Sequence, residues 1–204
     1  MNLFFTRAAL VLLFTPAVFA ASNTDLSVRG SITPSACIPL MSGGGVVDFG
    51  KMSAKSLNAQ EYTSLPNQNM QLSVRCEGPT FFTLNTIDNR AGSSANHDHW
   101  HGLGMTPNDE KLGGSGFHLY SPVADGIAAR IINSSDGGVT WVLANQLNPT
   151  WLTTVAIGSE LVPAAVRDFD AEIRLNTHVA PAERLTLLDE VPIDGHATVQ
   201  LKYL

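Results

Sequence analysis

The side chains best suited to chemistry are consecutive: His97, Asp98, His99, Trp100 and His101. On an extended backbone, alternate positions share a face, so the imidazoles of His97, His99 and His101 would stand together within reach of one zinc or copper ion. Such a site needs neutral ring nitrogens and hydrogen-bond partners that orient the rings. The same run lies in a glycine-rich stretch and also reads as solvated loop. His97, His99 and His101 are therefore a candidate metal site only, and no cofactor is expected.

A second chemical-looking run is Ser134-Ser135-Asp136-Gly137-Gly138-Val139-Thr140-Trp141. It follows the S-x-D-x-G-x-T-W pattern of the Asp box, found in repeated copies in sialidase propellers, but occurs once. Asp and Gly suit a tight turn and Thr and Trp the strand that leaves it, so the run reads as a hairpin brace. The carboxylate pairs Asp168 with Asp170 and Asp189 with Glu190 sit beside turns and read as solvated. Gly113-Gly114-Ser115-Gly116-Phe117 lacks the final glycine of a nucleophile elbow, and neither a phosphate loop nor a dinucleotide fingerprint is present. The expectation is a protein that is not an enzyme. Trp100, Trp141 and Trp151 could stack on a sugar, which keeps a carbohydrate-binding module as an alternative. The histidine run supports another, a periplasmic or secreted metal-binding protein.

The elements that must carry these residues follow from composition and periodicity. The 204-residue chain is 44% hydrophobic and 15% charged, enough for a well-filled core. Its 18 acidic and 12 basic residues give a net charge of −6, which leaves no basic patch for nucleic acid. Arg7, the apolar run Ala8–Phe14 and the small residues Val18-Phe19-Ala20 read as a secretory signal peptide over 1–20, too short and too interrupted by Pro16 to span a bilayer. Cys37 and Cys76 are the only cysteines, and in an exported chain two cysteines pair. Closing a loop of roughly 39 residues would stabilise the fold by about 4 kcal/mol.

Alternation of apolar and polar residues marks strands near Leu26–Pro34, Met70–Val74, Phe81–Ile87, Leu152–Ile157, Phe169–Leu175 and Gly195–Leu204. Shorter strands are predicted at Val46–Phe49, Phe117–Tyr120, Ile127–Ile132 and Val139–Leu143. Lys51–Gln68 reads as a polar connector and Asp88–Gly116 as a long loop with room for one short strand. Short strands about ten residues apart, without any sustained helical period, indicate an all-β sandwich in a single domain over 21–204.

V-R-G-S-I-T-P-S-A-C near the mature start, V-R-C on the second long strand and A-T-V-Q-L-K-Y-L at the end resemble the pilin subunits of chaperone–usher fimbriae. D-N-R-A-G-S, the A-D-G turn, S-S-D-G-G-V-T-W, H-V-A-P-A-E-R-L-T-L and D-G-H-A-T-V-Q-L-K-Y-L bring the chain closer to fimbrial-like proteobacterial proteins catalogued as a domain of unknown function. The resemblance implies an incomplete, immunoglobulin-like sandwich that lacks its last strand, with a groove between the first strand, around Leu26–Cys37, and the last. Ala197, Val199, Leu201 and Tyr203 would line one wall of that groove and Leu26, Val28 and Ile32 the other. It implies as partners a periplasmic chaperone, other fimbrial subunits, an outer-membrane usher and a host or surface glycan. It places the protein in the periplasm, then in a fimbrium at the cell surface, with a role in adhesion. The mature segment before the first-strand motif, Ala21–Leu26, is short and poor in large apolar residues, which suits an acceptor of a strand better than a donor.

Overall fold

The computed structural model describes Ser27 and residues 36–204. The expected signal peptide, most of the predicted first strand and the groove candidates Leu26, Val28 and Ile32 lie outside the described residues. The described strands all belong to the compact unit Thr33–Leu204.

That unit is all-β, with two antiparallel sheets and no α-helix among the described residues. The strands are β1 (Cys37–Met41), β2 (Thr63–Ser64), β3 (Gln68–Thr80), β4 (Phe82–Asp88), β5 (His101–Gly102), β6 (Gly113–Ala124), β7 (Ile127–Ala128), β8 (Arg130–Ser134), β9 (Val142–Leu143), β10 (Gln146–Leu147), β11 (Leu152–Ala156), β12 (Val166–Val179) and β13 (Ala197–Tyr203). One sheet runs β1-β3-β12-β6-β10, with β2 on β12 and β5 and β7 on β6; the other runs β13-β4-β11-β8-β9.

Alternation explains why the long strands pack as they do. Along β12, Ala171, Ile173, Leu175, Thr177 and Val179 point inward, while Glu172, Arg174, Asn176 and His178 stay half-exposed. On β3, Leu72, Val74 and Cys76 are buried in the same rhythm. These side chains meet Phe82 and Leu84 of β4 and Val155 of β11 in one core between the sheets, with Phe82 edge-on to Phe169 at 6.1 Å. Each such residue contributes about 1.5–3 kcal/mol by leaving water.

A second apolar cluster forms at the end of β12, where Leu65, Leu103, Leu112, Val179, Ala180 and Leu185 are buried. Phe49, Leu57, Leu187, Val191 and Ile193 pack against it, so the connectors before β3 and before β13 are anchored segments. This explains why the predicted strand at Val46–Phe49 is absent. Gly43, Gly44 and Gly45, all at positive φ, turn the chain off the sheet edge, and beyond them Val47 and Phe49 pack inward from a loop while Val46 stays exposed. Strand β1 occupies Cys37–Met41 instead, and β6 begins at Gly113, within the predicted long loop.

Candidate functional site

Cys37 and Cys76 face each other in register across β1 and β3 and form a disulfide. It ties the edge strand to the sheet and marks an oxidising, exported environment. Pro39, in the middle of β1, has no N–H to give, which suits a strand paired on one side only.

Strands β1 and β13 stand at the same side of the sandwich, each an edge of its sheet. They meet at one end, where the Cys37 amide donates to the Tyr203 hydroxyl at 3.0 Å. Toward the other end a cleft of about 880 Å³ opens between them. Its floor includes Leu72, Ile173 and Leu175 of the core, and its walls include Met41 and Val47 on one side and Ala197 and Val199 on the other. Leu201 lies farther along β13 and packs partly buried against the core, while Tyr203 is largely exposed. Among the described residues, only β4 pairs with β13, and none pairs with its outer backbone edge. The β1 side is apolar as well: Ile38 is 59% and Leu40 53% exposed. Of the predicted wall, the structure therefore places Ala197 and Val199 in the cleft; Met41 and Val47 form the facing wall. Those two were hidden in the sequence because C-I-P-L-M does not alternate and Val47 sits beyond a glycine run.

The histidine run does not make a shared face. Residues 97–100 form a turn closed by the Trp100 amide on the His97 carbonyl at 3.0 Å, so the extended geometry is lost. His97 and His99 stack at 5.6 Å near the surface, whereas His101, on β5, is only 2% exposed and lies flat against Phe117 at 4.0 Å. The Ser115 carbonyl can only accept, so His101 Nδ1 donates to it at 3.2 Å, and Nε2 accepts from the Thr86 hydroxyl at 2.7 Å. Burial pushes the His101 pKa below its ordinary value, against the opposing influence of the Ser115 bond and the Asp88 charge. The ring is a neutral structural strut. Among the described residues, no group of three or more His, Cys, Asp or Glu side chains is placed to hold a metal ion.

The Asp-box run is the brace its residue types imply. Asp136 accepts hydrogen bonds from the Ser134 hydroxyl and from the Val139 and Thr140 amides, and the Thr140 hydroxyl donates to it at 2.6 Å. Those bonds, led by the Thr140 hydroxyl, hold its carboxyl well below the usual carboxylate range. Asp168 and Asp170 are not simply solvated: Arg75 grips Asp170 through Nη2 at 2.7 and 2.9 Å, Ser73 donates to it at 2.6 Å, and Asp168 lies 3.6 Å from Arg75 Nε. These carboxylates join β3 to β12.

Comparison with known proteins names no activity. Residues 26–115 match the family described as "Protein of unknown function (DUF1120)". Uncharacterized protein YhcF of Escherichia coli (strain K12) is 32% identical over 80 residues, which cover 39% of this chain and 34% of YhcF. Protein GltF of the same strain is 25% identical over 248 residues, which cover 98% of this chain and 97% of GltF. The chain is thus similar to a bacterial protein along nearly its whole length and, over its N-terminal half, to a family of unknown function.

Proposed function

We infer that this protein is a non-enzymatic structural or adhesive subunit of the fimbrial type that completes its sandwich by accepting a β-strand from a partner. The observation that supports this reading is the cleft between β1 and β13, whose floor includes core side chains, bordered by a β13 edge that no described strand pairs with. A strand edge left unpaired beside a cleft favours strand addition, because a partner strand supplies further hydrogen bonds to the edge and side chains to the cleft. In this scheme a periplasmic chaperone donates first, and a neighbouring subunit replaces it at the outer-membrane usher. The subunit then resides at the cell surface.

The test is thermal unfolding of the periplasmically produced protein with and without a synthetic peptide carrying alternating apolar residues. At a peptide concentration about a hundredfold above Kd, linkage gives about 2.7 kcal/mol. For a domain of this size that is a rise in Tm of about 5–10 °C. Val199→Asp places a charge in the cleft wall and should abolish the rise. An unchanged Tm with the unmodified protein, across peptides of varied sequence, would refute strand acceptance.

A further inference from the structure

The cleft between β1 and β13 crosses more than one kind of surface. Leu175, Thr177 and Val179 follow one another at alternate positions of β12, and all three line it. Leu175 belongs to the main core and Val179 to the second apolar cluster, so Thr177 marks the boundary between the two. Its register partner on β6, Ser115, also lines the cleft, and the two hydroxyls meet at 2.9 Å. His101 of β5, another lining residue, donates to the Ser115 carbonyl and accepts from the Thr86 hydroxyl of β4. Thr86 in turn pairs with Val199 in the β13 wall of the cleft. A buried polar layer thus runs from one sheet to the other at the level of Val199, with an apolar cluster on either side of it.

This layer is demanding toward whatever covers it. The Ser115 and Thr177 hydroxyls carry a proton each and the bond between them uses only one, so the pair keeps an O–H in hand for a further acceptor. A hydrocarbon side chain laid over the pair shuts that O–H away from water without giving it a partner, whereas a hydroxyl or a side-chain amide offers one. Over Leu175 and Val179 the preference is reversed, since a polar group there has nothing to bond. The steps also match in length: residues two apart on a strand advance about 6.6 Å, on β12 and on a strand lying along the cleft alike. Alternate side chains of an incoming strand therefore meet apolar, polar and apolar floor in that order. One polar position in an otherwise apolar seam fixes register, because any slip sets a polar group against an apolar one.

We propose that the Ser115–Thr177 pair selects and registers the strand that the cleft accepts: the partner carries a hydroxyl- or amide-bearing side chain over this pair, with apolar side chains two residues before and two residues after it. The inference rests on the strand acceptance inferred above and adds to it the side-chain pattern of the occupant. A strand whose polar residue is displaced by two must either slide, leaving one end of the cleft unfilled, or bury its hydroxyl against Leu175 or Val179.

The experiment is titration of the intact, disulfide-bonded protein with synthetic peptides that carry valine at alternate positions, each valine in turn being replaced by threonine, which has nearly the same shape. The expected result is a dissociation constant that depends on where the threonine stands: one position binds at least as tightly as the all-valine peptide, and the others bind about tenfold more weakly. Ser115→Ala combined with Thr177→Val removes both hydroxyls at once, so neither is left unpaired, and should erase the advantage of that one position. A melt confirms that the double variant folds, and the scan on the unmodified protein is decisive even if it does not. Affinity independent of threonine position, or a dependence unchanged in the folded double variant, overturns the register proposal and leaves strand acceptance standing. Absence of saturable binding by every peptide overturns both.

Discussion

The two sides of the sandwich are finished differently. At the β6 side, the sheet edge is covered piece by piece: β5 pairs with Gly114 and Ser115, β10 with Phe117 and His118, and β7 with Val123 and Ala124. Trp100 lies over Gly116 on top of this edge, and His101 is locked beneath it. At the β1 and β13 side there are no such patches among the described residues. Two edges approach at Cys37 and Tyr203 and then diverge around an apolar cleft. A protein that covers one long edge with three two-residue strands has the means to hide backbone from water. The other side, with Ile38 and Leu40 exposed beside it, carries no such cover among the described residues, which is the contrast the proposed strand acceptance rests on.

The largest effect is expected on the open side. Replacing Cys37 and Cys76 together by serine releases β1 from β3 and should cost about 4 kcal/mol, lowering Tm by about 10 °C or more. Because β1 forms one wall of the cleft, the same variant should also bind a donor peptide more weakly. Loss of stability with peptide affinity intact would show that β1 has no part in acceptance. On the covered side, Gly116→Val drives a side chain into the Trp100 indole and should cost about 1–3 kcal/mol by overpacking, measured by urea unfolding. Peptide-induced stabilisation should survive that change. If it does not, the two sides are coupled and the contrast between them fails.

The smallest effect is one of pH. The folded state keeps His101 neutral, with a pKa below that of the unfolded chain, so the unfolded state binds the extra proton first. Stability should thus be full above about pH 6.5 and decline as the pH falls from there toward the folded value. His118 and His178, also shifted down chiefly by burial, add to the same decline. Glu110, held low first by the Thr186 amide, and Asp136 act in a later window: their contribution is present above the unfolded carboxylate value and is lost as acid protonates the folded groups. His101→Gln should flatten the first window and leave the second. An unchanged slope between pH 6.5 and 5 would place the sensitive group elsewhere.

What could be read from the sequence follows the physics of alternation. Strands β3 and β12 have one face in the core and one half-exposed, and the period of two identifies them directly, whereas β4 and β11 alternate in sequence but are buried on both faces over most of their length. The disulfide follows from cysteine count and export. Strand β1 escapes because Ile38, Pro39 and Leu40 are all apolar and all exposed, a pattern that a partner surface produces and a period does not reveal. His101 escapes because one turn at residues 97–100 rotates it away from its neighbours, and a single turn leaves no periodic trace. The polar layer of His101, Ser115 and Thr177 is less legible still. Its members come from β5, β6 and β12, and no local pattern announces which distant residues will meet.

The second apolar cluster has a consequence for the timing of folding. Its members range from Phe49 and Leu65 to Leu187, Val191 and Ile193, and β13 completes the adjoining wall of the cleft. Contacts spanning well over a hundred residues form late, since a long loop must close before they reward the chain. As the chain emerges into the oxidising compartment, the early strands arrive before their eventual partners, and β4 waits with an unmated edge until β13 follows. The cleft is therefore assembled in the last stage of folding, and a chain halted earlier displays a different edge, that of β4, in its place.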